Sequence, residues 1–401
     1  MEQKNKYLSF LSKHLAFFVL GFASLSFFIV NILLKEKLSS SDYGLYSLLI
    51  TYLSLISSFG LLGFEQVLLR TTKIAKKKIL VQRNILFPIF FILIFISFLS
   101  SYLFLHYYDY SFSFISFLIF TLLAISIKIL FNLFRLLSSF TLAQIILNTW
   151  RIGLLIIVIL CVFYNLVISL EILFGSICVV LFLTFFFSYK LKKYIDFVNE
   201  FNKSKLFKKS ILFFLSLITI SSINFGDRFF IENRFGIEDL GIYFFYINIF
   251  LFPFTLFQSY LGFREIVIFK KKYNQKVLNN KLRIALFYSL IFGFCLLIIA
   301  FLIDISGLYH LDFKLNFNMI LLLVFLGVIK VCYSLLSSAI GAVCNNKMLY
   351  KINRDSIISI ILIIPLIYYF AYDMTTTLFF LIALWLIRCI IWYRQLLKYE
   401  S

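Results

Sequence analysis

Asp42-Tyr43-Gly44-Leu45-Tyr46 returns 197 residues later as Asp239-Leu240-Gly241-Ile242-Tyr243. A second pair follows in the same order: Gly63-Phe64-Glu65 and, 199 residues on, Gly262-Phe263-Arg264. One D-x-G-x-Y match alone carries little weight. Two in order, at a nearly constant offset and in the same setting, indicate an internal duplication. In each half the first motif opens an apolar run, and the second closes that run just ahead of a basic stretch. The halves meet near the polar segment Lys190–Lys209, close to the midpoint of the chain.

Composition says what solvent these halves face. Of 401 residues 62% are apolar and 14% charged, with a mean hydropathy of +1.00. A soluble domain runs nearer half apolar and a quarter charged. So few charges cannot cover a surface in water, so the solvent is lipid. A helix crosses the hydrocarbon core with about 20 apolar residues. Twelve runs qualify: Phe10–Leu34, Leu45–Phe64, Ile85–Leu105, Phe112–Leu130, Ile152–Leu170 and Ile172–Tyr189, then Ile211–Ile231, Ile242–Phe263, Ile284–Ile303, Phe317–Val343, Ile357–Tyr372 and Thr375–Tyr393. Phe10–Leu34 is too long for a cleaved signal and lacks a small-residue cleavage site, so it counts as a span.

The net charge of +20 tests this count. With the N-terminus in the cytoplasm, 28 of 38 Lys and Arg fall on cytoplasmic segments. Five lie outside (Lys35, Lys37, Arg228, Arg234, Lys314) and five within or at the edges of spans. Eleven of 18 acidic residues lean outward, Asp109 and Asp312 among them. Such an asymmetry is the positive-inside pattern, and dropping one helix would invert everything after it. The basic charge therefore reports topology, with both termini cytoplasmic, and not nucleic-acid binding. The six cysteines show no CxxC pairing and the three histidines are far apart, so no disulfide framework or metal site is expected.

The expected organisation is an N-terminal six-helix lobe over residues 1–189, a cytoplasmic basic linker over 190–210 and a C-terminal six-helix lobe over 211–401. Six crossings per half is an even number, so both halves run in the same sense. That implies a pseudo-twofold axis along the membrane normal, as in parallel-repeat transporters.

At these residues the chain resembles a family, the Wzx-type polysaccharide flippases of the MOP (MATE-like) superfamily. The resemblance rests on Leu38–Tyr46 with the span ending Gly60-Leu61-Leu62-Gly63-Phe64-Glu65, on Asp227-Arg228-Phe229-Phe230-Ile231-Glu232, and on Phe235-Gly236 leading to Gly241-Ile242-Tyr243. It implies a transporter of a polyprenyl (undecaprenyl) diphosphate-linked oligosaccharide, an O-antigen or capsule unit. The implied setting is a bacterial inner membrane, alongside other glycan-assembly membrane proteins and with no cofactor.

Charges inside the spans are the candidate binding groups, because a mid-bilayer charge costs about 2.5–3.5 kcal/mol on insertion scales. Lys128, Asn132 and Arg135 share one helical face, and Gln144, Asn148 and Arg151 another, both read as lying towards cytoplasmic helix ends. Lys330 sits mid-span, with Ser334, Ser337 and Gly341 continuing its face as a cavity lining. Arg388, with Trp385 and Trp392, fits either a substrate contact or a snorkelling interfacial belt. Asn224, Arg228 and Glu232 align near an outer helix end, with Asp227 holding Arg228 or exchanging a coupling ion. Asn31 and Asn248 offer neutral bonds to sugars or, equally, between helices.

A diphosphate headgroup cannot enter hydrocarbon bare. A few Lys and Arg would replace its hydration with charge-assisted bonds. The chain has no GxxxxGK[ST] loop, and alternating access requires no covalent chemistry. The expected role is thus a flippase and not an enzyme. The competing readings are a multispanning O-antigen polymerase or lipid-linked glycosyltransferase, which calls for a sizeable outer catalytic loop, and a MATE-type multidrug exporter, which calls for carboxylates deep in the N-terminal half.

Overall fold

In the computed structural model, which describes residues 2–75, 78–108, 110–198, 203–271, 273–306 and 316–400, helices dominate. The outer residues Asp109, Asp312 and Lys314 lie outside the described residues. The chain forms two compact units, 1–221 and 222–401, with the division inside one long helix.

The first unit runs α1 (Glu2–Lys37), α2 (Ser40–Phe59), α3 (Phe64–Thr71), strands β1 (Lys73–Ala75) and β2 (Lys78–Gln82), α4 (Arg83–Tyr107), α5 (Phe114–Leu136), α6 (Phe140–Phe163), α7 (Leu170–Phe185), β3 (Ile195–Val198) and the start of α8 (Lys203–Phe235). The second holds the rest of α8, α9 (Ile237–Tyr246), α10 (Phe252–Lys271), α11 (Gln275–Ser306), α12 (Phe317–Val343), α13 (Asn346–Phe370) and α14 (Met374–Glu400).

Among the described residues, 11 helices are long and apolar enough to cross a membrane. The second expected span is the exception. Its helix, α2, has 20 residues, about 30 Å at 1.5 Å per residue, but carries six serines, three tyrosines and Asp42. It is polar because it is enclosed: Tyr43, Tyr46, Leu48 and Leu49 are fully buried in the protein. Lipid-facing helices show the reverse, as in α4, where Phe90, Phe91 and Phe95 are exposed.

Both motif copies have a physical reason. Ser39 caps α2 by accepting the Asp42 N–H at 3.0 Å, which places Asp42 in the first turn. Asp239 occupies the same position in α9, whose first residue is Ile237. A carboxylate there complements the helix dipole and its unbonded N–H groups. The second motif differs between the halves. Gly63 ends a turn at φ +80°, so close to α8 that a Cβ would meet the Ser210 carbonyl oxygen at 2.5 Å. Gly262 lies inside α10, which continues to Lys271. Between α9 and α10 the helix widens into one π turn at Ile247–Leu251, just before Pro253, whose ring would clash with the carbonyl of a regular turn.

A small sheet departs from the all-helical expectation and from an unstructured linker. β2 pairs antiparallel with β1 and parallel with β3, aligning Ile79 with Ile195 and Val81 with Phe197, and Lys78 bridges Asp196 at 3.0 Å. Two basic segments 118 residues apart are thus hydrogen-bonded together. Strands in one sheet lie on one side of a membrane, so the helices between them, α4 to α7, must cross an even number of times. Other contacts obey the same parity: Tyr110 donates to the Leu45 carbonyl, Ser111 to Glu171, and the Asn316 N–H to the Tyr246 hydroxyl. Single cysteines at Lys78 and Glu171, on a cysteine-free chain, are accordingly expected to label with impermeant maleimide from opposite sides. Labelling of both from one side would break the span count.

Candidate functional site

In the 222–401 unit, α8, α9, α12 and α14 gather the deepest charges. The Tyr243 hydroxyl donates to Asp227 Oδ2 at 2.5 Å, and the other carboxylate oxygen, Oδ1, has no hydrogen-bond donor among the described residues. Asp227 interacts electrostatically with both Arg228 and Lys330. Arg228 lies 5.4 Å from the Phe225 ring centre and 5.1 Å from that of Phe244. Lys330, 6% exposed, donates to Asn224 Oδ1 at 3.3 Å and stands 4.9 Å over the Trp385 ring. One carboxylate thus neighbours two cations within the bundle. Aromatic faces disperse part of their charge.

The expected continuation of the Lys330 face is different in the structure. Ser334 donates to the Gln258 carbonyl at 2.6 Å and Ser338 to that of Gly262 at 3.3 Å, while a Cβ at Gly341 would meet Ile266 at 3.0 Å. These small residues bring α12 against α10, as in close-packed membrane helices. Arg388 also departs from an interfacial belt: it lies midway along α14, 2% exposed, and donates to the Tyr333 hydroxyl at 3.0 Å. Asn248 donates to the Phe244 carbonyl at 2.8 Å within its own helix.

In the 1–221 unit the cations are arranged otherwise. Because α6 begins at Phe140 and not near Ile152, Arg151 falls midway along the helix, correcting its expected place near a cytoplasmic end. Its guanidinium stands 5.4 Å from both the Phe27 and Trp150 rings and interacts with Tyr46. Its Nε is buried without a hydrogen-bond acceptor, and no carboxylate among the described residues pairs with it. Asn31 is committed internally, donating to the Phe27 carbonyl at 2.7 Å and accepting from the Tyr43 hydroxyl at 3.1 Å. Lys128 and Arg135 share the Phe131 ring, at 5.0 and 5.3 Å. Arg135 does lie in the last turn of α5, with Lys128 two turns earlier. Asn148 bonds Gln144 at 3.0 Å. Glu65, just past the α2 turn, is 4% exposed and interacts with Lys128, and its burial holds the carboxyl above the usual carboxylate range.

Two residues went unnoticed in the sequence although the duplication pointed at them. Tyr46 and Tyr243 are the last residues of the two motif copies, both fully buried and both beside an arginine, Arg151 and Arg228 respectively.

No family model and no curated protein matches this chain. Among solved structures it is similar to the lipid II flippase MurJ in an inward closed conformation, with a TM-score of 0.68 at 14% identity, covering 96% of this chain and 87% of that one. The likeness shows the fold, an all-helical membrane architecture shared with that protein.

Proposed function

We propose that this protein translocates a polyprenyl-diphosphate-linked oligosaccharide between leaflets by alternating access. The carrying observation is a mid-helix cation in each unit: Arg151, with no carboxylate paired to it among the described residues, and the buried Lys330, hydrogen-bonded to Asn224 and set over the Trp385 ring. Stranding that charge in a membrane protein without an anionic partner is costly, and a diphosphate supplies the missing partner through charge-assisted bonds. Lys128 and Arg135 would extend the anion-binding surface towards a helix end. The fold shared with MurJ, a lipid II flippase, supports this class of cargo. An O-antigen or capsule unit is the finer assignment, and a bacterial inner membrane with cytoplasmic termini the setting, on the strength of the motif resemblance and the basic loops.

The polymerase alternative needs a large outer loop for catalysis, and the described connections at those ends are short. A cation exporter needs carboxylates deep in the first unit's spans, whereas the buried Glu65 there lies past the end of α2 beside Lys128 and the mid-helix charge of α6 is Arg151.

Lys330→Ala and Arg228→Ala each leave Asp227 a cationic neighbour, so folding should survive. Each is expected to lower translocation of lipid-linked glycan at least tenfold in reconstituted vesicles, with normal insertion. Undiminished transport by both variants would remove the assignment.

A further inference from the structure

Along one face of α14, Trp385, Arg388 and Trp392 follow at i, i+3 and i+7. From α12, Tyr333 inserts its ring between the two indoles, at centroid distances of 4.9 and 5.0 Å, both edge-on. The Arg388 guanidinium lies 5.4 Å from the Tyr333 ring and 5.2 Å from that of Trp392. The group is sealed: Trp385 is 0%, Arg388 2%, Tyr333 4% and Trp392 6% exposed.

The chemistry of this cluster is one-sided. Guanidinium and indole groups only donate hydrogen bonds, and the hydroxyl of Tyr333 is already taken by Arg388 Nε. Three buried donors, Arg388 Nη1, Trp385 Nε1 and Trp392 Nε1, have no acceptor among the described residues. Among the described residues no carboxylate pairs with Arg388 either. The Cys389 thiol, a weak acceptor, lies beside Arg388, and the Ser337 side chain hydrogen-bonds Tyr333. Buried donors in native proteins are matched by protein, water or an ion, and a guanidinium needs charge as well as an acceptor.

We propose that a small monovalent anion of the chloride class binds here, as the counter-ion of Arg388, accepting from Nη1 and the indole N–H groups. Water would supply an acceptor and leave the charge uncompensated. A phosphate-bearing headgroup is too large to enter unless α12 parts from α14. The site adjoins Lys330, which stands 4.9 Å over the Trp385 ring, but the proposal does not depend on the transport reading.

The chain contains three tryptophans, so Trp150→Phe leaves the two indoles of the site as the only ones reporting. In that background, bromide or iodide added to the detergent-purified protein at constant ionic strength is expected to quench fluorescence saturably. Chloride should compete, and gluconate and sulfate should not. Chloride should also raise the thermal midpoint over gluconate. Arg388→Gln is expected to weaken halide affinity at least tenfold and erase the chloride-dependent rise. Should that variant fail to fold, Trp392→Phe, which keeps the packing and removes one N–H, is expected to weaken affinity severalfold. Quenching that is strictly linear in halide and unchanged by the variants, or a midpoint indifferent to chloride, would assign the cluster to water and overturn the proposal.

Discussion

Gly63→Ala is expected to destabilise the protein by about 2–6 kcal/mol. Two penalties coincide at this position. The backbone is left-handed, at φ +80°, where a side chain costs roughly 1–3 kcal/mol. The added methyl would also meet the Ser210 carbonyl oxygen at 2.5 Å and the Phe214 nitrogen at 2.8 Å. Those are backbone atoms of a helix and cannot rotate away, so overpacking adds about 1–3 kcal/mol. Gly175→Ala provides the contrast. Nothing lies within 4 Å of a Cβ there, and the residue sits inside α7. That substitution should stabilise by about 0.5–1 kcal/mol, since a mid-helix glycine mainly adds unfolded-state freedom. Thermal unfolding of both variants in detergent decides the matter. A neutral Gly63→Ala would show that the α2 turn does not approach α8 this closely.

Asp227→Ala should be the most damaging single change among the charged residues. Removing one partner of a buried ion pair costs about 3–5 kcal/mol because the other charge is left stranded, and here the buried Lys330 would be left. Asp227→Asn retains an acceptor for the Tyr243 hydroxyl and isolates the charge, so it should cost less. Adding Lys330→Met to Asp227→Ala removes one stranded cation and should recover part of the loss. The cycle of single and double variants measures that coupling. If Lys330→Met instead deepened the loss, Asp227 and Lys330 would not be compensating each other.

Much of this architecture can be read from the chain. Apolar run length and the Lys/Arg distribution locate the helices, because both are set by the bilayer and need no knowledge of neighbours. Lys330 and Arg228 stand out for the same reason. Tertiary choices are less legible. Ser334 and Gly341 share a helical face with Lys330, and periodicity alone cannot say that the face turns towards α10. Arg151 was misplaced because the threonine, glutamine and asparagine of α6 dilute its first turns, so the run seemed to start near Ile152. The sheet was invisible since its longest strand has five residues and its partner lies across four helices. The motif tyrosines were in plain view, but a repeat says only that a residue recurs, not what it touches.

The pairing of β2 with β3 bears on how the chain is made. β2 leaves the ribosome first and must wait for α4 to α7 before its partner exists. The sheet can close only if those helices were inserted in the correct alternation. One helix left in or out by mistake would strand the two strands on opposite sides of about 30 Å of oil, with their edges open. These few backbone bonds therefore act as a proofreading clasp, rewarding a nascent protein that the insertion machinery has threaded correctly.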